Sequence, residues 1–301
     1  MSKEFQESWV EANGLRLHCM SAGQGPLMLF LHGFPEFWYA WKELLREFGR
    51  DHLAVAPDMR GYNLSDKPVA VEQYRSRHLV EDIRALAAHF APGRLFTLVA
   101  HDWGGAVAWA FAIRYPQLLE RLIIINAPHP AVFARLLTHD PAQQRASAYM
   151  HMFRSAEAEA RLSADGFATL LNRVMGDGLA SGSFSAEDRA AYVQAWSVPG
   201  ALTGGLNYYR ANEFVPPQAG SSPPPAPDPA AWRVTVPTLV IWGEADKALL
   251  PQNLDGLQEF VPDLTIKRVP GASHWIIHEQ PRLIEDCIRA FCSARPAPAT
   301  S

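Results

Sequence analysis

A chain of 301 residues, 48% hydrophobic and 19% charged, has enough apolar material for one large globular domain or two modest ones. Its net charge of -4 gives no electrostatic reason to bind nucleic acid or an anionic membrane, and no apolar run approaches the ~18–20 residues of a membrane span. Three cysteines without a CxxC, Cys19, Cys287 and Cys292, and a polar, charged opening of fourteen residues argue against a disulfide framework, a zinc site or a secretory leader, and for a reducing cytoplasmic setting.

The first element is a hairpin: Trp9–Ala12 and Leu15–His18 alternate apolar and polar residues around the turn pair Asn13-Gly14, which suits positive φ. Apolar runs follow at Leu27–Leu31, Leu53–Ala56, Leu95–Ala100, Leu122–Ile125, Thr238–Ile241 and Leu264–Lys267. Runs without alternation suit strands covered on both faces, as in parallel sheets. Helical patterns lie between them at Trp38–Phe48, His78–Phe90, Gly104–Arg114 and Pro281–Phe291. The alternation predicts an α/β architecture: a mostly parallel central sheet flanked by helices, with an antiparallel opening hairpin. Between about residues 131 and 230 the rhythm turns helical: Ala142–Phe153, Ala156–Met175, and Arg189–Trp196 opened by Ser185 as N-cap. The proline-rich stretch Ser221–Pro229 reads as an extended linker. The expected organisation is a first core half over 1–130, a helical insertion over 131–230, a second core half over 231–292 and a disordered tail over 293–301.

The chemistry centres on Ala100-His101-Asp102-Trp103-Gly104-Gly105, which follows an apolar strand and precedes a helix. A sharp strand-to-helix turn needs small residues two before and two after its apex; Ala100 and Gly104 meet that need with Asp102 at the tip. A carboxylate there suits displacement at an sp³ carbon bearing a leaving oxygen or halogen, and the product is an ester of Asp102 that water can hydrolyse. The second step needs a base. Among eleven histidines, His274 stands out because Pro270–Trp275 places it just past the last core strand, at the sheet edge where α/β ligands bind. Its orienting acid is expected after the preceding strand, in Ile241–Asp246, where Asp246 is preferred and Glu244 is the alternative. The end of the Leu122–Ile125 strand carries Asn126-Ala127-Pro128 and no carboxylate. In His32-Gly33-Phe34-Pro35, the Phe34 amide together with that of Trp103 would face an oxyanion.

These motifs, with Trp38 and Trp41, Asp58–Tyr62, Asn207-Tyr208-Tyr209-Arg210 and Gly271–Trp275, resemble the α/β-hydrolase-fold epoxide hydrolases over nearly the whole chain. The order nucleophile, acid, base along the chain is also that of an α/β-hydrolase. The resemblance implies a helical cap, a two-step reaction through a covalent alkyl-enzyme ester, and two cap tyrosines that hydrogen-bond the epoxide oxygen. Tyr209 and Tyr149 match those positions, with His151 as a polar alternative in the second segment. Opening an epoxide creates a strongly basic alkoxide, and a phenol of pKa about 10 donates a hydrogen bond and then a proton without ionising at rest. The substrate pocket is expected to draw on His32, Trp38, Trp103, His151, Trp196, Tyr208 and Trp275. The expected substrate is a small hydrophobic epoxide consumed with water, without metal or organic cofactor; monomer and homodimer stay open.

The nearest rival is a haloalkane dehalogenase, which resembles the chain at His101–Gly104 and to which Trp196 could supply a halide-binding N–H. That family usually shows Glu or Asn where Phe34 sits. A fluoroacetate dehalogenase would need arginines just after the nucleophile, where this chain has Trp103, Gly104, Gly105 and Ala106. Asp102 in place of Ser weighs against an esterase. A non-catalytic ligand-binding protein would have no need of nucleophile, base, acid and proton donors together.

Overall fold

Asn13 (φ 52°) and Gly14 (φ 75°) both take the left-handed conformation, closing the hairpin of β1 (Gln6–Ala12) and β2 (Leu15–Ala22). This computed structural model describes residues 4–181, 184–212, 214–216 and 229–294. Residues 221–228 of the expected proline-rich linker and 295–301 of the expected tail lie outside the described residues, whereas Ser293 and Ala294 still belong to the last helix.

Six further strands complete one sheet: β3 (Leu27–Leu31), β4 (Leu53–Pro57), β5 (Phe96–His101), β6 (Leu119–Ile125), β7 (Thr238–Gly243) and β8 (Leu264–Val269). Their spatial order is β1-β2-β4-β3-β5-β6-β7-β8. The β1–β2 and β2–β4 pairs are antiparallel and the rest are parallel. The unbroken apolar runs are explained by cover on both sides. Leu27, Leu29 and Leu31 face one hydrophobic cluster, while Met28 and Phe30 face the other. Leu122 and Ile124 divide from Ile123 and Ile125 in the same way. Helices α1 (Lys42–Phe48), α10 (Ile276–Glu279) and α11 (Pro281–Ala294) cover one face; α2 (Ser76–Phe90) and α3 (Asp102–Arg114) cover the other. One expectation fails at the edge: β8 leaves Thr265–Arg268 exposed, because it is the last strand in the sheet order and has a strand neighbour on one side only.

Between β6 and β7 run α4 (Pro130–His139), α5 (Pro141–Ala146), α6 (Tyr149–Arg154), α7 (Ala158–Ser181), α8 (Ala186–Ser197) and α9 (Ala201–Ala211). The single helix expected over Ala142–Phe153 is instead α5 and α6, divided at Ser147 and Ala148. The helix expected over Ala156–Met175 is broken inside α7, where Asp165, Gly166 and Phe167 all have positive φ. Ser185 caps α8 in a reciprocal box with Asp188, satisfying two amides that would otherwise lack partners. Among the described residues no helix is long and apolar enough to cross a membrane.

Candidate active site

Asp102 stands where β5 turns into α3, and its φ of 50° is the strained left-handed conformation that projects an apex side chain outward. The turn depends on absent side chains. A Cβ on Gly104 would lie 2.4 Å from the Leu31 carbonyl oxygen, and one on Gly33 would lie 2.1 Å from Asp102 Oδ1. Without that Cβ the loop after β3 comes close enough for the Phe34 amide to donate to Asp102 Oδ1 at 2.7 Å. The second carboxylate oxygen, Oδ2, lies 3.6 Å from His274 Nε2.

His274 follows β8, and its Nδ1 lies 2.7 Å from Asp246 Oδ2. Asp246 follows β7 and is buried. Four donors surround its two oxygens: His274 Nδ1, Asn126 Nδ2 (2.8 Å), and the amides of Ala248 (2.8 Å) and Leu249 (2.9 Å). Burial alone would raise its pKa, yet the charge and hydrogen bonds of His274 and the other donors hold it below the ordinary value. The pKa of His274 moves up, well above the usual histidine range. Burial opposes its charge, but Asp246 and Asp102 together outweigh that penalty. Glu244, the alternative acid, instead pairs with Arg268 at the surface. Asn126 has a role that its sequence position did not suggest. At the end of β6, where the sequence lacks a carboxylate, it braces the acid on the neighbouring strand and accepts from the Gly243 amide at 2.8 Å.

Above Asp102 lies a cavity of about 670 Å³, within the size range of small-molecule sites. Asp102, His274, Asp246, Tyr149, Tyr209, Phe34 and Trp275 all line it. Burial, then the Asp102 charge, pushes the Tyr149 hydroxyl far above the ordinary phenol value, and the neighbouring Tyr209 hydroxyl offsets this in part. Burial, then Tyr149 and Asp102, does the same to Tyr209. Both therefore remain O–H donors at any ordinary pH. The remaining wall is largely apolar and includes Phe153, Leu170, Val174 and Phe184. No motif marked these residues, because their meeting depends on how α6 and α7 pack.

Several expected pocket residues lie elsewhere. His32 is buried below the site, where its Nδ1 meets the Gly33 carbonyl and its Nε2 accepts from the Met59 amide; it braces two loops. Trp38 packs edge-on to Phe5, and His151 is exposed on α6, so it does not replace Tyr149. Tyr208 points into the core and donates to the Arg60 carbonyl at 2.9 Å. Trp103 is buried edge-on to Tyr208 and Tyr209 and holds those rings without lining the cavity. Trp196 gives its indole N–H to the Pro35 carbonyl, which removes it as a halide donor.

Behind the cavity is a cluster around Glu36, a residue no motif marked. Glu36 is 1% exposed. Its Oε1 accepts from Tyr192 at 3.0 Å and meets His278 Nε2; its Oε2 lies 3.3 Å from His101 Nδ1. His101 Nε2 in turn reaches the His274 carbonyl at 2.8 Å. Burial would raise the pKa of Glu36, but His278 and His101 hold it well below the carboxylate range.

The chain and its fold are shared with known proteins. Residues 26–281 match the α/β hydrolase fold family. The chain is 37% identical to mouse epoxide hydrolase 4 over 94% of this chain and 77% of the relative, and 38% identical to the AB hydrolase superfamily protein YfhM of Bacillus subtilis over 94% and 96%. A structure of Bacillus megaterium epoxide hydrolase with an inhibitor superposes with a TM-score of 0.86 at 38% identity, covering 95% of this chain and all of the other. A variant of that enzyme, complexed with its naphthyloxy-propane-1,2-diol product, gives a TM-score of 0.87 at 38% identity over the same shares of each chain. With this sheet, this elbow and these relatives, the chain belongs to the epoxide hydrolases of the α/β-hydrolase fold.

Proposed function

We propose that the protein opens a small hydrophobic epoxide to a vicinal diol through an ester on Asp102. The observation that carries this reading is the asymmetric environment of that carboxylate. Oδ1 is engaged by the Phe34 amide, while Oδ2 faces His274 within the cavity that Tyr149 and Tyr209 line. Oδ2 is then the attacking oxygen. It forms a bond to an epoxide carbon as the C–O bond breaks, and the tyrosines donate to the departing oxygen and protonate the alkoxide. Oδ1 becomes the ester carbonyl oxygen, already seated against the donor that will stabilise it as an oxyanion.

Alkylation also prepares the base. Part of what raises the His274 pKa is the Asp102 carboxylate; once esterified, Asp102 carries no charge, and the imidazole gives its proton up to restore the tyrosine that protonated the alkoxide. The neutral base, held in its tautomer by Asp246, deprotonates a water that attacks the ester carbonyl, with the Phe34 and Trp103 amides facing the oxyanion. Collapse of the intermediate frees the diol and restores the carboxylate. Helices α4–α9 serve as the cap that brings the tyrosines over the nucleophile. The three free thiols support a reducing, cytoplasmic setting. Two experiments test the covalent route. Single turnover of styrene oxide in heavy-oxygen water should leave the label out of the first diol formed, and His274→Gln should accumulate an adduct visible as a mass increase on the intact protein. Direct appearance of label in the first-turnover diol would refute it.

A further inference from the structure

Helix α8 presents three residues at a spacing of four, Asp188, Tyr192 and Trp196, which places them on one face. All three are buried, and all three bond to the chain segment that leaves the Phe34 loop. Trp196 Nε1 donates to the Pro35 carbonyl at 2.5 Å, and Tyr192 donates to Glu36 Oε1 at 3.0 Å. Asp188 accepts from Tyr39 at 2.9 Å and pairs with Lys42. The two segments thus match residue for residue in opposite directions. The Phe34 loop is closed on its other side by a bond from the Glu36 amide to the Gly33 carbonyl at 2.9 Å, so Phe34 sits inside a turn whose outer carbonyl and following side chain are both held by α8.

We propose that Trp196 and Tyr192 are positioning residues that set the Phe34 amide for the hydrolysis half-reaction. The proposal rests on the covalent mechanism above. The Phe34 amide contacts the same oxygen in both steps, but with opposite consequence. During alkylation the carboxylate loses charge, so its bond from Phe34 favours the ground state. During hydrolysis charge develops on that oxygen, so the bond favours the transition state. A displaced amide therefore slows hydrolysis while alkylation is unchanged or slightly faster. General loosening of the cap would slow both, since the tyrosine donors come from it.

The test is rapid-quench intact-mass analysis with styrene oxide, reading alkylation and decay of the adduct separately. Trp196→Phe keeps the ring contacts with Tyr192 and Phe167 but removes the donor; Tyr192→Phe keeps the contact with Phe37. Each should slow adduct decay by about tenfold to a hundredfold, with alkylation within about twofold, so that adduct accumulates at steady state. Tyr192→Phe, the smaller change, carries the test alone if Trp196→Phe does not fold. Asp188→Asn, which loosens only the far end, should change stability and leave the ratio of the two rates alone. Equal losses in both steps, or unchanged decay in both variants, overturn the proposal while the covalent mechanism stands. Absence of any adduct, in the wild type and in His274→Gln alike, overturns both.

Discussion

Asp246→Asn is an isosteric change whose effect follows from a count of donors. The aspartate's two oxygens receive four hydrogens, from His274, Asn126, Ala248 and Leu249. An amide offers one acceptor oxygen and two donors, so half of the set faces a donor. If the amide oxygen stays toward His274, the Ala248 and Leu249 amides lose their acceptor and the loop behind the acid is disordered. If it turns over, the NH₂ faces His274 Nδ1. The imidazole must then carry its proton on Nε2, the nitrogen that has to accept one from water. Each buried donor left unpaired costs about 1–3 kcal/mol, and two cost roughly 2–6 kcal/mol. Expressed in the hydrolysis barrier, that is a slowing of about 30-fold to 25,000-fold. Alkylation, which uses Asp102 and the tyrosines, should fall far less. Single-turnover mass spectrometry with styrene oxide should therefore show a full burst of alkyl-enzyme followed by slow decay. Equal losses in the two phases, or decay within threefold of wild type, would refute the assignment of Asp246 as the acid that orients the base.

Tyr209→Phe should slow alkylation by epoxides more than by 1-haloalkanes, because an alkoxide needs a proton and a halide does not; equal losses in parallel stopped-flow measurements would remove Tyr209 as the acid. Asp102→Asn should lower the His274 pKa, since it deletes a carboxylate that raises it; histidine ring NMR titration checks this, and an unchanged midpoint would contradict the proposed release of the base upon alkylation. Asp188 is held well below the ordinary carboxylate value: burial opposes its charge, but Lys42 and Ser185 outweigh it. A depressed folded-state pKa contributes stability above the unfolded value, and that stability is lost as pH falls through the folded one. Wild type should therefore melt above Asp188→Asn at pH 6, with the gap narrowing steadily as pH drops below about 4; a gap independent of pH would show that the ion pair contributes nothing.

Much of this protein could be read from its sequence wherever the physics is local. The doubly covered strands announced themselves as unbroken apolar runs, because a strand between two helical layers has no polar face. The elbow was legible because steric crowding at a left-handed apex demands small residues at fixed offsets, here Ala100 and Gly104. That His274 and Asp246 would lie together was legible because parallel strands deliver the residues that follow them to the same edge of the sheet. What the sequence could not supply was the direction of long side chains across segments distant along the chain. Trp196, His32 and Tyr208 have the chemistry of a pocket, yet each directs its polar atoms to a buried carbonyl or amide, since a polar group left unpaired in the core costs about 1–3 kcal/mol. Asn126 and Glu36 gain meaning only from partners 120 and 242 positions away, Asp246 and His278. The apolar wall of Phe153, Leu170 and Phe184, and the grip of α8 on the Phe34 loop, exist only once the helices between β6 and β7 have folded back over the sheet, where packing rather than sequence spacing determines which surfaces meet.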